Sequence, residues 1–200
     1  MGHATFAPWG ELVPGVGPMT ADELLQRPEY ETGYELVEGR LIRVPPAGME
    51  HGDLGLELGS ALRGYVRTQN LGRVFAAETG FTLNRPGEPD VVLAPDCAFV
   101  RTDRLPDKGS ADWKGFARLA PDLVVEIASP SQYAPELAEK ARLWLAAGTR
   151  LAWVVWPSTR HVDVWLPGGE LPAQSLGPAD SLDGRDVIPG FTYSVASLFG

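Results

Sequence analysis

VVLAPDCAFV (91–100), APDLVVEIASPS (120–131) and PELAEKARLWLAAG (135–148) are the three pieces on which the fold turns. The first two read as short apolar strands with one acid in the middle of each, and the third as an amphipathic helix. Alternation along a strand puts Leu123, Val125 and Ile127 on one face and Asp122, Val124, Glu126 and Ala128 on the other. In 92–100, read as one strand, Asp96 shares its face with Ala98 and Val100, and Cys97 shares the opposite face with Phe99.

An ionised carboxylate in so apolar a run is expensive to bury without a partner. If the two strands lie side by side, Asp96 and Glu126 converge, and close carboxylates raise one another's pKa unless a cation sits between them. A hard divalent ion with oxygen ligands, Mg²⁺ or Mn²⁺, resolves that conflict. Such an ion also polarises phosphate and activates water. Taken singly, either acid fits better as a strand end in a solvated loop or as an arginine partner. Together with Lys140 they favour a site. On the helix Leu137, Ala141, Trp144 and Leu145 form the apolar stripe, with Lys140 at its margin. The chain has 14 arginines and only three lysines, Lys108, Lys114 and Lys140, so a mere surface cation here would more readily be arginine. A snorkelling surface lysine is the other reading.

Outward from this centre, residues 1–18 are rich in Gly and Pro without periodicity and read as a flexible arm, leaving 19–200 as a single domain. Thr20, with Glu23 three residues on, forms a capping box for a short helix. GYELVEGRLIRV (33–44) reads as a β-hairpin turning at Glu38-Gly39. A helix runs from His51 to about Thr68 with Leu54, Leu58, Ala61, Leu62 and Tyr65 on one stripe, and His51 at the N-terminal end of that face. RVFAAETGFTL (73–83) reads as one strand with Glu78 as a third acid in apolar surroundings. LAWVVW and HVDVWL give two further strands, and VIPGFTYSVASLF a short strand with a terminal helical turn. The order implies α/β or α+β, a mixed central sheet flanked by helices.

Composition sets limits. A 44% hydrophobic content suits one soluble domain, and no run reaches the length of a membrane span. One cysteine, Cys97, permits no internal disulfide, and the N-terminus lacks an export pattern; both fit the cytoplasm. A net charge of −9 opposes strong unspecific binding to nucleic acid, although local field outweighs the total. Locally, Arg101, Arg104, Lys108, Lys114 and Arg118 outnumber the acids of 101–120 and are candidates for nucleic-acid backbone contact, or simply a solvated loop. His3, His51 and His161 have no zinc-ligand spacing.

MTADELLQRPE, YELVEGRLIRV, HGDLGLELGSALRGYV, AAETGFTL, LAPDCAFV, APDLVVEIASPS, EKARLWLAAGTRLAWVVWP and VIPGFTYSVASLF follow one another across roughly 19–199. In this order they resemble the Uma-type family of restriction-endonuclease-like proteins, within the PD-(D/E)XK superfamily. The resemblance implies a restriction-endonuclease-like core and a Mg²⁺- or Mn²⁺-dependent endonuclease acting on DNA. It implies Asp96 and Glu126 as metal ligands and catalytic residues, with His51, Glu78 and Glu35 in support. Where the superfamily pattern wants lysine stands Ala128, and the resemblance implies Lys140 in its place. The alternative is a catalytically inactive nucleic-acid- or protein-binding module on the same fold, consistent with the acidic net charge. Cutting both strands of a duplex further predicts a homodimer.

Overall fold

The computed structural model describes residues 9–83, 88–130 and 132–200, so the expectation for 1–8 lies outside the described residues. The first elements are β1 (Glu11–Leu12), α1 (Ala21–Leu25), β2 (Tyr34–Val37), β3 (Arg40–Arg43), α2 (Met49–Thr68), β4 (Gly72–Ala76), β5 (Phe81–Thr82) and β6 (Val92–Leu93). Then come β7 (Cys97–Arg101), α3 (Ala111–Lys114), β8 (Leu123–Ile127), α4 (Ala134–Ala146), β9 (Leu151–Trp156) and β10 (His161–Trp165). The last are β11 (Gln174–Leu176), β12 (Ser181–Asp183), β13 (Thr192–Ser194) and α5 (Val195–Phe199).

The central sheet runs β11-β10-β9-β8-β7-β4, and a second sheet runs β1-β3-β2-β6-β5. β8 and β9 are parallel and joined through α4, whereas β7 pairs antiparallel with β8 and β10 antiparallel with β9. The chain is therefore a mixed α/β fold with helices flanking a mixed central sheet. Among the described residues no helix is long and apolar enough to cross a membrane.

β8 divides the core as its alternation requires. Leu123, Val125 and Ile127 pack with Leu54, Leu58, Leu62 and Val66 of α2 and with Ile188, Phe191 and Val195 near the C-terminus. Val124 and Ala128 pack on the other side with Leu137, Ala141 and Trp144 of α4 and with Val37, Ile42 and Leu93 of the second sheet. Four glycines inside α2 (52, 55, 59 and 64) cost about 1 kcal/mol each relative to alanine. Burial of its four core residues, roughly 1.5–3 kcal/mol apiece, outweighs them. Two of these glycines also let the helix lie close: a Cβ on Gly55 would sit 3.5 Å from Ile127, and one on Gly59 3.7 Å from the Cys97 sulfur.

The hairpin forms as read, with Glu38 (φ 50°) and Gly39 (φ 73°) both in the left-handed region that a two-residue turn demands. The capping box at Thr20 and Glu23 is also present. Three readings need correction. The run 92–100 is not one strand: β6 belongs to the second sheet and β7 to the central one, and Ala94, Pro95 and Asp96 make the corner between them. Pro95 has no N–H to donate to a continued ladder, so the strand breaks there. The run 73–83 splits likewise, into β4 and β5 on different sheets. Finally, residues 9–18 are no loose arm. Trp9 is buried, β1 pairs with β3, and Val13 donates its N–H to the Leu41 carbonyl at 3.0 Å.

Candidate active site

The corner before β7 sets the position of Asp96. Its N–H donates to the carbonyl of Val125 at 3.0 Å, which holds the corner against β8 just before the Cys97–Val125 pair. Asp96 and Glu126 line the same cleft. The Asp96 Oδ2 accepts the N–H of Ile127 at 2.7 Å and lies 3.2 Å from Nε2 of His51, on the first turn of α2. So the acid is pinned to the neighbouring strand by its own side chain.

Behind it lies a buried ionic cluster. Lys140, on α4, places Nζ 3.1 Å from Oε2 of Glu126 and 3.0 Å from Oε1 of Glu35. Glu126 also accepts from Nε1 of Trp144 at 2.7 Å. Glu35 accepts from Nε1 of Trp9 at 2.6 Å and from the N–H of Ala94 at 3.1 Å. The Lys140 ammonium lies 5.9 Å from the centre of the Trp9 ring, within cation–π range. Side-chain exposure is 7% for Lys140 and 3–4% for its partners, against 20% for Asp96 and 15% for His51. Asp96 and His51 keep contact with water while the other three sit deeper. All five line one cleft of about 380 Å³.

Burial drives the Glu126 carboxyl above its usual range; the Lys140 charge pulls it back, and Asp96 and Glu35 push it up again. Burial would lower Lys140, but the carboxylates of Glu126, Glu35 and Asp96 overcome it and hold the ammonium charged well beyond the usual lysine range. For His51 burial opposes the charge, and the hydrogen bond and charge of Asp96 outweigh it, raising the imidazole.

Of the residues singled out in the sequence, Asp96, Glu126, Lys140, His51 and Glu35 are brought together. Glu78 lines the same cleft but is exposed. It sits in a turn at φ 65°, with its carboxylate accepting from the Gly33 N–H at 3.3 Å, and not in an apolar strand. The five cations of 101–120 do not line this cleft. Three are held by acids: Arg101 by Asp103 at 2.7 Å, Arg104 by buried Asp122 at 2.8 Å, and Arg118 by Asp22 at 2.6 Å. Trp9 and Trp144 are the additions. Trp144 read simply as core, and Trp9 fell in a stretch without periodicity. Its signal was the indole N–H, which seeks an acceptor wherever it is buried.

Among the described residues no group of three or more His, Cys, Asp or Glu is arranged as a ready cage for a metal. A magnesium-like ion does not need one, since it keeps several waters and is commonly held by one or two carboxylates plus substrate phosphate oxygens. Asp96 and Glu126 are such a pair of hard oxygen donors, and the donor set fits Mg²⁺ or Mn²⁺ better than a thiophilic metal.

Among solved structures, the chain is similar to an Anabaena variabilis protein described as "a putative nuclease belonging to DUF820". The TM-score is 0.74 at 25% identity, covering 91% of this chain and 98% of that one. No curated protein matches the chain. The architecture is thus one shared with a nuclease-like protein, and the family described as "Putative restriction endonuclease", Uma2, matches residues 21–196. The chain belongs to the Uma2 family.

Proposed function

We propose that this chain is an endonuclease that hydrolyses phosphodiester bonds of DNA with Mg²⁺ or Mn²⁺, residues 19–200 acting as one nuclease domain. The observation that carries the reading is the charged lysine 3.1 Å from Glu126, in one cleft with an Asp96 whose carboxylate is bonded to the next residue of β8, Ile127. Asp96 and Glu126 would hold the ion. What the ion supplies when bound is polarisation of a phosphate and a more acidic water.

The remaining work falls to the chain itself. Ile127 N–H and His51 fix the Asp96 carboxylate from two sides, so its free oxygen keeps one orientation. Trp144 fixes Glu126 in the same way. Lys140 keeps its proton and offers a full positive charge where negative charge grows on the phosphoryl oxygens, in a poorly hydrated site where that charge counts most. Glu35, itself held by Trp9, stops the lysine from swinging away. Lys140 thus supplies from the helix the charge that buried Ala128 lacks.

A second reading, a catalytically silent binding module, draws on the same cluster: Lys140 already has two carboxylate partners. Plasmid cleavage in Mn²⁺ separates the two. Metal-dependent nicking by wild type that is lost in Asp96→Asn and Glu126→Gln supports the nuclease. A folded wild type that leaves the plasmid intact in both Mg²⁺ and Mn²⁺ supports the silent module.

A further inference from the structure

Among the described residues, five arginines of this acidic chain are tightly paired: Arg43, Arg101, Arg104, Arg118 and Arg150 each lie within 2.8 Å of a carboxylate. Arg63, Arg67 and Arg73 are different. All three are exposed, and together they line one cleft of about 660 Å³ with Asn70 and Thr102. Arg63 and Arg67 stand one turn apart on α2 and make no ion pair with any described residue. Arg73, on β4, has its guanidinium 5.6 Å from the Trp113 ring centre, within cation–π range, and makes no ion pair with any described residue. With a net charge of −9 on the chain, such a cluster is a local reversal of sign.

A second cleft, about 320 Å³ and mainly apolar, lies between α2 and β4. It shares Arg63 and Val74 with the arginine cleft, and His51 and Asp96 with the candidate active site. Phe75 and Leu56 provide its apolar lining. The three clefts therefore join end to end, along β4, the edge strand of the central sheet. Along the helix axis Arg63 and Arg67 are about 6 Å apart, within roughly two phosphate steps of a strand at about 3.4 Å each.

We propose that the DNA strand cut at Asp96 runs on through this groove. The nucleotide beside the scissile phosphate lies in the apolar cleft between α2 and β4, and the phosphates beyond it lie on Arg63, Arg67 and Arg73. This rests on the nuclease reading of the site. It also moves the nucleic-acid contact away from the loop 101–120, whose arginines are already paired.

Fluorescence anisotropy of a short labelled DNA duplex, read in EDTA so that nothing is cut, tests it across a salt series. The proteins are wild type, Arg63→Gln/Arg67→Gln/Arg73→Gln, the same three positions as lysine, and Arg101→Gln/Lys108→Gln/Lys114→Gln. Three lost phosphate contacts at about 0.9 each should make the salt slope of log K shallower by about 2.7 and weaken binding roughly 10²-fold at about 0.1 M salt. The lysine variant keeps the charges and should retain most of the slope, which a merely unfolded variant would not. The loop variant should bind like wild type. An unchanged slope in the glutamine variant, or a loss confined to the loop variant, overturns the groove, as does a wild type that binds no DNA. A wild type that binds through these arginines but cuts nothing in Mn²⁺ sinks the nuclease reading and leaves the groove standing.

Discussion

Lys140→Met removes the charge from the centre of the ionic cluster while keeping most of the side-chain volume. In the sequence Lys140 lies at the margin of an apolar stripe, which predicts little effect on folding. The geometry reverses that expectation. Its ammonium lies within 3.1 Å of two carboxylates, and all three side chains are at most 7% exposed. Taking one member from a buried ionic set leaves uncompensated charge, at a cost of about 3–5 kcal/mol. At roughly 2–4 °C per kcal/mol for a chain of this size, the melting temperature should fall by about 6–20 °C. Glu35→Gln/Lys140→Met, which also neutralises one acid, should regain part of the loss. The deficit should be pH-dependent with a definite sign. Burial already raises Glu126 above its ordinary 4.5, and without the opposing lysine charge it rises further. The folded variant then holds a proton that the unfolded chain releases, so its stability falls as pH climbs from about 4.5 through the raised folded pKa. Thermal unfolding by circular dichroism in metal-free buffer, at about pH 5 and about pH 8, reads both effects. At a temperature where the variant is folded, cleavage should drop roughly 10²–10³-fold. A Lys140→Met protein that melts with wild type at the higher pH would refute the counterion role, whatever its activity.

Calorimetric titration of Mn²⁺ should give binding to wild type that vanishes in Asp96→Ala/Glu126→Ala; equal binding by the two proteins would remove the metal assignment. Trp9→Phe keeps an aromatic ring but withdraws the donor 2.6 Å from Glu35, and should cost about 1–3 kcal/mol in chemical denaturation. A wild-type midpoint would return Trp9 to simple packing. Cys97, 1% exposed and with its thiol pushed up to about 12 by burial, should react with a thiol reagent only on unfolding; rapid labelling of the native protein at neutral pH would contradict the packing of α2 on β7. Light scattering at micromolar concentration should show a mass of two chains, and a mass near 21.5 kDa would argue against C₂ pairing.

What was legible in the sequence was what is encoded locally. The two faces of β8, the turn at Glu38-Gly39 and the cap at Thr20 each depend on residues within a few positions of one another, and each formed. The family resemblance singled out Glu35 and His51, which the fold brings into one cleft with Asp96 and Glu126, where periodicity alone left them as a hairpin acid and a packing histidine. The readings that failed depend on partners far along the chain. Whether Val92 and Cys97 lie in one strand is decided by which sheet each half joins, and alternation cannot see that; Pro95 was the overlooked signal. Glu78 looked like a strand residue because its flanks are apolar, yet it adopts a left-handed turn between β4 and β5. Trp9 contacts Glu35 across 26 residues, so no local pattern could announce it.

The corner at Ala94, Pro95 and Asp96 has a consequence for how such a gene tolerates length changes. Three residues carry the chain from one sheet to the other, leaving no slack between β6 and β7. Deleting one would force β7 either to lose a ladder position or to slip by one, and a slip turns every side chain to the opposite face. Phe99 would leave the α2 side and Val100 would enter it, while Asp96 would lose its anchors on Val125 and Ile127 in the same step. A frame-preserving deletion here therefore destroys packing and site together, whereas point substitution of Asp96 can silence the site and leave the fold. Inactive relatives should arise by substitution at this corner and keep its length.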